Sequence, residues 1–461
     1  MKKVLVTLFS IISLGAFAQE QPTLETVNQN VESLKESFTE TKNTVDIFSK
    51  IKISGYIQAQ AQHADSGGIK SFAGGNFPSL TTGTNPRTTM NRMAIRRGRI
   101  KLAYTGTNSQ VVFQFDITEN GFKTKDAYFK LTDPYFKLVN LQTGIFNRPF
   151  GYEIEYSSSS RETPERSRMF QTLFPDERDM GAALEITSEK GIFKYVNFKG
   201  GWFTGNGIAP ETDRNRDFIG HLSFKLPIDQ ENGFMIDGGV SMYNGLVTRD
   251  FNTNSTKTNT VNVVDVNGTT QKVSAPSSTV TTQNYTYTWD DASKGYKKDG
   301  DSTWFSNRKR QYLGGDIQMY IPYLSNVSFL GSTKIMAEYI TGMQPGTKSA
   351  NTFYKIGSGD LYMRNFAGYY VTFVQNFTKR FQAVVKYDVY DPNTKVSGND
   401  IKTDGDIKYT TLGYGLVYNY DQNIKFTLYY DNVKNETVSA LKGYATDLKD
   451  NVVTLRMQYK F

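Results

Sequence analysis

At 461 residues, the chain is long enough for two or three ordinary domains or one large β architecture. Only 38% of it is hydrophobic and the mean hydropathy is −0.49, although Tyr (29) and Phe (31) are abundant. Beyond residue 18 no apolar run approaches the about 20 residues of a spanning helix, which leaves a membrane barrel possible because its segments only alternate. With no cysteine, disulfides, thiolate metal sites and Cys nucleophiles are excluded, and the formal charge is +8.

The first 18 residues, MKKVLVTLFSIISLGAFA, carry Lys2-Lys3, an apolar stretch and a small-x-small end at Ala16-Phe17-Ala18. That pattern predicts a secretory signal peptide over 1–18, cleaved before Gln19. Its removal takes two cations and lowers the charge from +8 to +6.

Residues 19–50 read as a helix. Leu24, Val27, Val31, Leu34, Phe38, Thr41, Val45 and Phe48 follow alternating spacings of three and four. An a/d stripe held over three heptads predicts a self-associating coiled coil, most simply a homotrimer, on the periplasmic side. A helix docked on its own barrel would use the same stripe.

From residue 51 to 461 the period becomes two. IKISGYIQAQAQ sets Ile51, Ile53, Ile57 and Ala59 against Lys52, Ser54, Tyr56, Gln58 and Gln60. QVVFQFDIT, DFIGHLSFKL and RFQAVVKYDVY alternate likewise, and many apolar rows end in Tyr or Phe, as an interfacial girdle requires. Sixteen such segments begin near residues 51, 92, 109, 122, 136, 180, 193, 217, 233, 310, 326, 363, 380, 406, 423 and 451. Short Asn/Gly/Asp junctions alternate with long polar connections, the longest over 248–306 with little regular structure expected in it. The predicted fold class is therefore all-β: a transmembrane antiparallel β-barrel of about sixteen strands, wide enough for an aqueous channel.

The end, NVVTLRMQYKF, alternates up to a terminal Phe461. In lipid the last strand must close on the first, since an open edge leaves backbone groups unsatisfied. The ending also resembles the terminal signal read by the barrel-assembly machinery, which makes that machinery and outer-membrane lipid expected partners. The expected location is the outer membrane of a Gram-negative bacterium.

Barrel parity then orients the charges. In RRGRIKLAYTG, placing Ile100, Leu102 and Tyr104 toward lipid turns Arg97, Arg99 and Lys101 into the lumen. The opposite choice would put these cations in hydrocarbon at about 2–4 kcal/mol each near the midplane. Lys52, Lys199, Lys225, Lys386, Lys425, Arg456 and Lys460 share lumen parity with Asp116, Asp126, Asp237, Asp316, Asp388 and Asp431. The wall is mixed, with its cationic excess on the second segment, so anions are favoured. The same arginines could instead hold a loop through its carboxylates.

Residues 143–181, TGIFNRPFGYEIEYSSSSRETPERSRMFQTLFPDERDMG, are too long for a turn. They carry Arg148, Arg161, Arg166, Arg168 and Arg178 with Glu153, Glu155, Glu162 and Glu165, and predict a constriction loop. AIRRGRIKLAYTG, KDAYFKL, TGIFNRPFGYEIEYSSSSRETPERS and ERDMGAALE together resemble the phosphate-selective porin O/P family, most strongly from about 92 to 190. That resemblance implies a sixteen-stranded trimeric porin with a basic eyelet and small anions such as phosphate as solutes. It also implies that Arg96 and Arg97 form the eyelet pair and that Ser157 and Ser158 hydrogen-bond the anion. Ile154 stands where the family's phosphate-binding members carry a lysine. Strict alternation lets only one of Arg96 and Arg97 face inward unless a bulge at Gly98 intervenes.

The functional expectation is a diffusion channel for small hydrophilic solutes with anion preference. The constriction residues are Arg96, Arg97, Arg99, Lys101, Ser157, Ser158, Arg166 and Arg168. The alternative is a structural or adhesive barrel linked to the cell wall or to an external partner through the 248–306 loop. His63 and His221 are the only histidines, and no Gly-x-Ser-x-Gly, Walker-type loop or Gly-x-Gly-x-x-Gly is present. No enzyme activity, cofactor, metal or nucleic-acid partner is expected.

Overall fold

The computed structural model describes residues 24–461 apart from 67–69, 72–74, 77–78, 81–86, 189, 212–213, 230–232, 251, 258–259, 265–269, 275–277, 284, 299–304, 323–329 and 353–359. The expected signal peptide, 1–18, lies outside the described residues, as do 19–23 of the expected coiled-coil segment. The chain divides into two compact units, residues 1–52 and 53–461.

In the first unit, α1 spans Leu24–Ser49. Its heptad residues Val31, Leu34, Phe38, Val45 and Phe48 remain 56–71% exposed. An isolated helix with one uncovered apolar stripe gains little from packing.

The second unit is a closed antiparallel barrel of sixteen strands. Its first half is β1 (Ile51–Ala64), β2 (Asn91–Thr105), β3 (Ser109–Thr118), β4 (Gly121–Thr132), β5 (Val139–Asn147), β6 (Arg178–Ile186), β7 (Val196–Phe203) and β8 (Asp217–Asp229). The second half is β9 (Phe234–Asp250), β10 (Phe305–Ile321), β11 (Thr333–Gly346), β12 (Leu361–Asn376), β13 (Phe381–Asp391), β14 (Tyr409–Asn419), β15 (Ile424–Asn435) and β16 (Val452–Lys460). Each strand pairs with its chain neighbours, and β16 closes on β1 in the register Tyr56↔Lys460 to Ala64↔Val452. Phe461 and Gly55 exchange backbone hydrogen bonds of 2.9 Å in each direction. A Cβ at Gly55 would strike the Phe461 ring and the Arg99 carbonyl, so glycine allows the seam to shut.

Alternation sorts the wall. Ile100, Leu102 and Tyr104 are 38%, 37% and 40% exposed on the outer face, whereas Arg97 and Arg99 are buried on the inner one. The same inner face carries Tyr243, Tyr312, Phe366 and Tyr370, beside outward Met242, Leu313 and Tyr369. These inward rings form the barrel's main apolar cluster and are a feature that an outer aromatic girdle does not include.

Two connections differ from expectation. The predicted constriction segment 143–181 is shorter as a loop, covering 148–177. Thr143–Asn147 and Arg178–Gly181 extend the flanking strands, pairing from Arg178↔Asn147 to Ala182↔Thr143. The 248–306 connector is not structureless. Asn252–Lys257 pairs with Ser278–Gln283, Thr260–Val264 with Thr270–Ser274, and Thr286–Asp290 with Gly295–Lys298. Its Thr- and Val-rich runs have high strand propensity, which outweighs their polarity once a hairpin partner lies nearby in sequence. The segment expected from 326 is a strand from Thr333; 330–332 are described and are not strand, and 323–329 lie outside the described residues.

Candidate constriction site

The loop 148–177 leaves β5, folds into the lumen and returns at β6, and most of its residues are buried. It contains two short helices, α2 (Tyr152–Glu155) and α3 (Arg168–Leu173). One flank is apolar. Phe150, Phe170 and Phe174 pack on the inward rings, with Phe174 centred 5.6 Å from Tyr312 and 6.2 Å from Tyr243, both edge-to-face. Phe170 meets Tyr370 at 6.4 Å. Glu338 on β11 accepts the backbone N–H groups of Tyr152 and Glu153, satisfying two donors that α2 leaves open.

The other flank is charged, and Glu165 is its hub. Its carboxylate accepts from Arg96 Nε at 2.9 Å, Arg97 at 2.8 Å and Arg456 at 2.7 Å. Burial alone would raise the Glu165 pKa. Arg96, Arg97 and Arg456 outweigh that effect and hold the group well below the usual carboxylate range. Both Arg96 and Arg97 therefore face inward. Exposed Met93 and Ile95 precede them, and exposed Ile100 and Leu102 follow one residue out of phase, the mark of a bulge. Gly98 lies just past the slip. Its N–H donates to Asp116 Oδ1 at 2.9 Å, and a Cβ there would strike the Ile117 carbonyl.

Hydroxyls and backbone carbonyls complete this flank. Ser158 Oγ lies 2.6 Å from the Tyr56 hydroxyl and accepts from Arg99 at 3.2 Å. Gln58 donates to the Ser158 carbonyl, and Lys425 donates to those of Ser159 and Arg161, each at 3.0 Å. Lys386 donates to Glu153 at 2.7 Å.

The sequence-predicted residues are thus largely brought together, but most already have protein partners. Arg96 and Arg97 bind Glu165, and Arg99 lies 3.5 Å from Asp116. Arg166 pairs with Glu177 and donates to the Glu153 carbonyl at 2.7 Å. Ser157 meets Ser159 at 3.0 Å. Arg168 lies apart from this cluster, its guanidinium 3.9 Å above the Tyr409 ring. Lys101 sits further along β2, without an ion pair among the described residues. Ile154 is fully buried in the aromatic cluster.

Arg161 is only 4% exposed, and none of its guanidinium nitrogens has a hydrogen-bond partner among the described residues. Burial, then Arg166 and Arg97, push its pKa down to about 9.

Between the loop and β2–β4 a cavity of about 220 Å³ remains. Its cations are Arg96, Arg97, Arg99, Lys125 and Arg166, and its acids are Asp116, Glu165, Asp176 and Glu177. Asp176 binds Lys123 at 2.5 Å and Lys125 at 3.1 Å. Sequence reasoning missed Glu338, Tyr56 and Gln58 as loop holders. Lumen parity marks Tyr56 and Gln58 as inward, but nothing local says that a loop reaches them.

Neither a protein-family model nor a curated protein matches the sequence. The fold is similar to the high-pH structure of Pseudomonas putida OprB, at 10% identity and a TM-score of 0.53, covering 90% of this chain and 96% of that one. An anion-selective porin from Comamonas acidovorans is 11% identical with a TM-score of 0.48, covering 89% of this chain and 99% of that one. The outer membrane channel DcaP of Acinetobacter baumannii is 10% identical with a TM-score of 0.46, covering 89% of this chain and 97% of that one. The chain has the fold of the outer-membrane porins, a sixteen-strand barrel with a loop folded inside.

Proposed function

We propose that the chain is an outer-membrane porin, a passive diffusion channel for small hydrophilic solutes with a mild anion preference. One observation carries this reading. The 148–177 loop folds into the lumen, and the cavity left between it and β2–β4, the arginine slot, sets five cations against four carboxylates. A sixteen-strand barrel is wide enough for water, and fixed charges in a narrow low-dielectric passage bias which ions enter. The net excess in the slot is one positive charge, so the preference is small.

Phosphate belongs to the admitted class as one anion among others, because Ile154 brings no charge to the slot. The resemblance to the phosphate-selective porin O/P family favours the anion side of this reading. So does Arg161, a buried cation whose guanidinium has no hydrogen-bond partner among the described residues. No covalent step is involved. Lumen Arg, Lys and hydroxyl groups replace part of a solute's hydration shell during passage.

The uncovered stripe of α1 supports self-association through a coiled coil, and a homotrimer is the assembly proposed with it. Signal-peptide export over 1–18 and insertion by the barrel-assembly machinery through the strand ending at Phe461 complete the proposal.

Reversal potentials across a planar bilayer in a KCl gradient test the channel reading. A small anion-directed potential is expected, and a clear cation preference would overturn it. Deleting residues 19–48 should lower oligomer stability in mild detergent while the barrel stays folded. An unchanged oligomer would remove that role from the helix.

A further inference from the structure

At the end of the barrel that carries the long loops lies a second cavity, separate from the arginine slot. It encloses about 550 Å³, within the about 300–1,000 Å³ of small-molecule sites. Tyr390, Tyr409 and Tyr444 line it, and Arg168 and Thr172 of α3 reach it from the constriction loop. It shares Arg168 and Asp450 with a smaller cavity of about 30 Å³ between the loop and β13–β15.

Two acceptors in this vestibule have no partner among the described residues. Asn351 is 4% exposed, and its amide nitrogen donates to the Tyr390 hydroxyl at 3.0 Å and to the Pro392 carbonyl at 3.3 Å. Those bonds fix the amide's orientation and leave its Oδ1 without a partner. Asp450 is 9% exposed, and its Oδ1 is unpartnered as well. Buried acceptors without donors are destabilising, so a ligand that supplies O–H or N–H groups is favoured. The cavity's charges cancel, Arg168 and Lys449 against Asp404 and Asp450. A neutral donor-bearing solute therefore fits better than an ion. Arg168 covers one face of Tyr409 and Tyr390 is buried, so half-buried Tyr444 is the ring left to meet the C–H face of a pyranose.

We propose that this vestibule binds a neutral polyhydroxylated ring, of monosaccharide to disaccharide size, ahead of the constriction. The site is independent of the slot's ion preference. A bound ring at the loop-bearing mouth of the barrel would narrow the aqueous path to the constriction and so reduce ion flow.

Maltose is the probe. With the full chain in planar bilayers in KCl, adding maltose should lower the current along a saturating curve. Asp450→Asn and Asn351→Leu should each raise the half-blocking concentration at least fivefold. A decrease that never saturates and tracks bulk conductivity alone would overturn the proposal. Calorimetric titration of maltose into detergent-solubilised protein reads the site even if the barrel does not conduct. Saturating heat there supports the site and its absence overturns it, so failure of the channel reading is distinguishable. Tenfold tighter binding of glucosamine than of glucose would overturn the neutral class in favour of a cation.

Discussion

Against β9–β12 the 148–177 loop presents aromatic rings. Against β1, β2 and β16 it presents a carboxylate, a hydroxyl and backbone carbonyls. The two flanks hold the same segment by different physics. Ring packing scales with buried area and is indifferent to pH and salt. The charged flank stabilises only when every partner is present, because Arg97, Arg456 and Glu165 are all buried. The apolar flank therefore keeps the loop inside the barrel. The charged flank ties the loop's edge to β1, β2 and β16.

Glu165→Gln tests the charged flank most severely. It leaves three guanidinium groups around a neutral amide, a loss of about 3–5 kcal/mol in loop anchorage. Thermal melting should fall, and single-channel traces should show larger, flickering currents. An unchanged trace would mean that the aromatic flank alone fixes the loop edge.

Phe174→Ala tests the other flank and should cost about 3 kcal/mol through the cavity it leaves. Its melting temperature should fall while reversal potentials stay as in the parent, since no slot charge changes. A shift in selectivity would show that the two flanks are not separable.

pH gives a smaller effect. Burial would raise the Asp176 pKa, but Lys125 and Lys123 hold it down to about 2. A carboxyl with a depressed folded pKa contributes stability above its unfolded value of about 3.9 and loses it as pH falls through the folded one. Current noise should therefore stay flat down to pH 4 and rise between pH 4 and pH 2. A rise near neutrality would contradict this pairing.

Ser157→Ala is expected to do least. The hydroxyl bonds only within the loop, to Ser159, and its loss should cost under about 1 kcal/mol. The substitution also tests the family resemblance. If phosphate competes with chloride current less well in the variant, Ser157 contacts the anion directly.

The wall was legible because alternation has a local cause. A strand between two solvents must place Ile100, Leu102 and Tyr104 on one side and Arg99 and Lys101 on the other. All sixteen segments followed from that requirement, and the turn chemistry at their ends brought most starts within a few residues. The phase slip at Arg96-Arg97 was legible only as an alternative, since a bulge depends on the neighbouring strand. The loop was recognisable by its length and charge, but its anchors were not. Glu165 is one of several glutamates in that segment, and its three arginines come from β2 and β16, at opposite ends of the chain.

By itself, the sequence determined the barrel, its strand count, its inward and outward faces, and a basic second strand. Each follows from period-two patterning and from the cost of placing charge in hydrocarbon. Only the tertiary structure decided what those cations do. Closing β16 onto β1 brings Arg456 beside Arg97, and the folded loop inserts Glu165 between them. Most of the expected anion ligands thereby become loop fasteners, and this outcome depends on contacts such as Arg456–Glu165 and Gln58–Gln458, 291 and 400 positions apart in the chain, which no local pattern encodes.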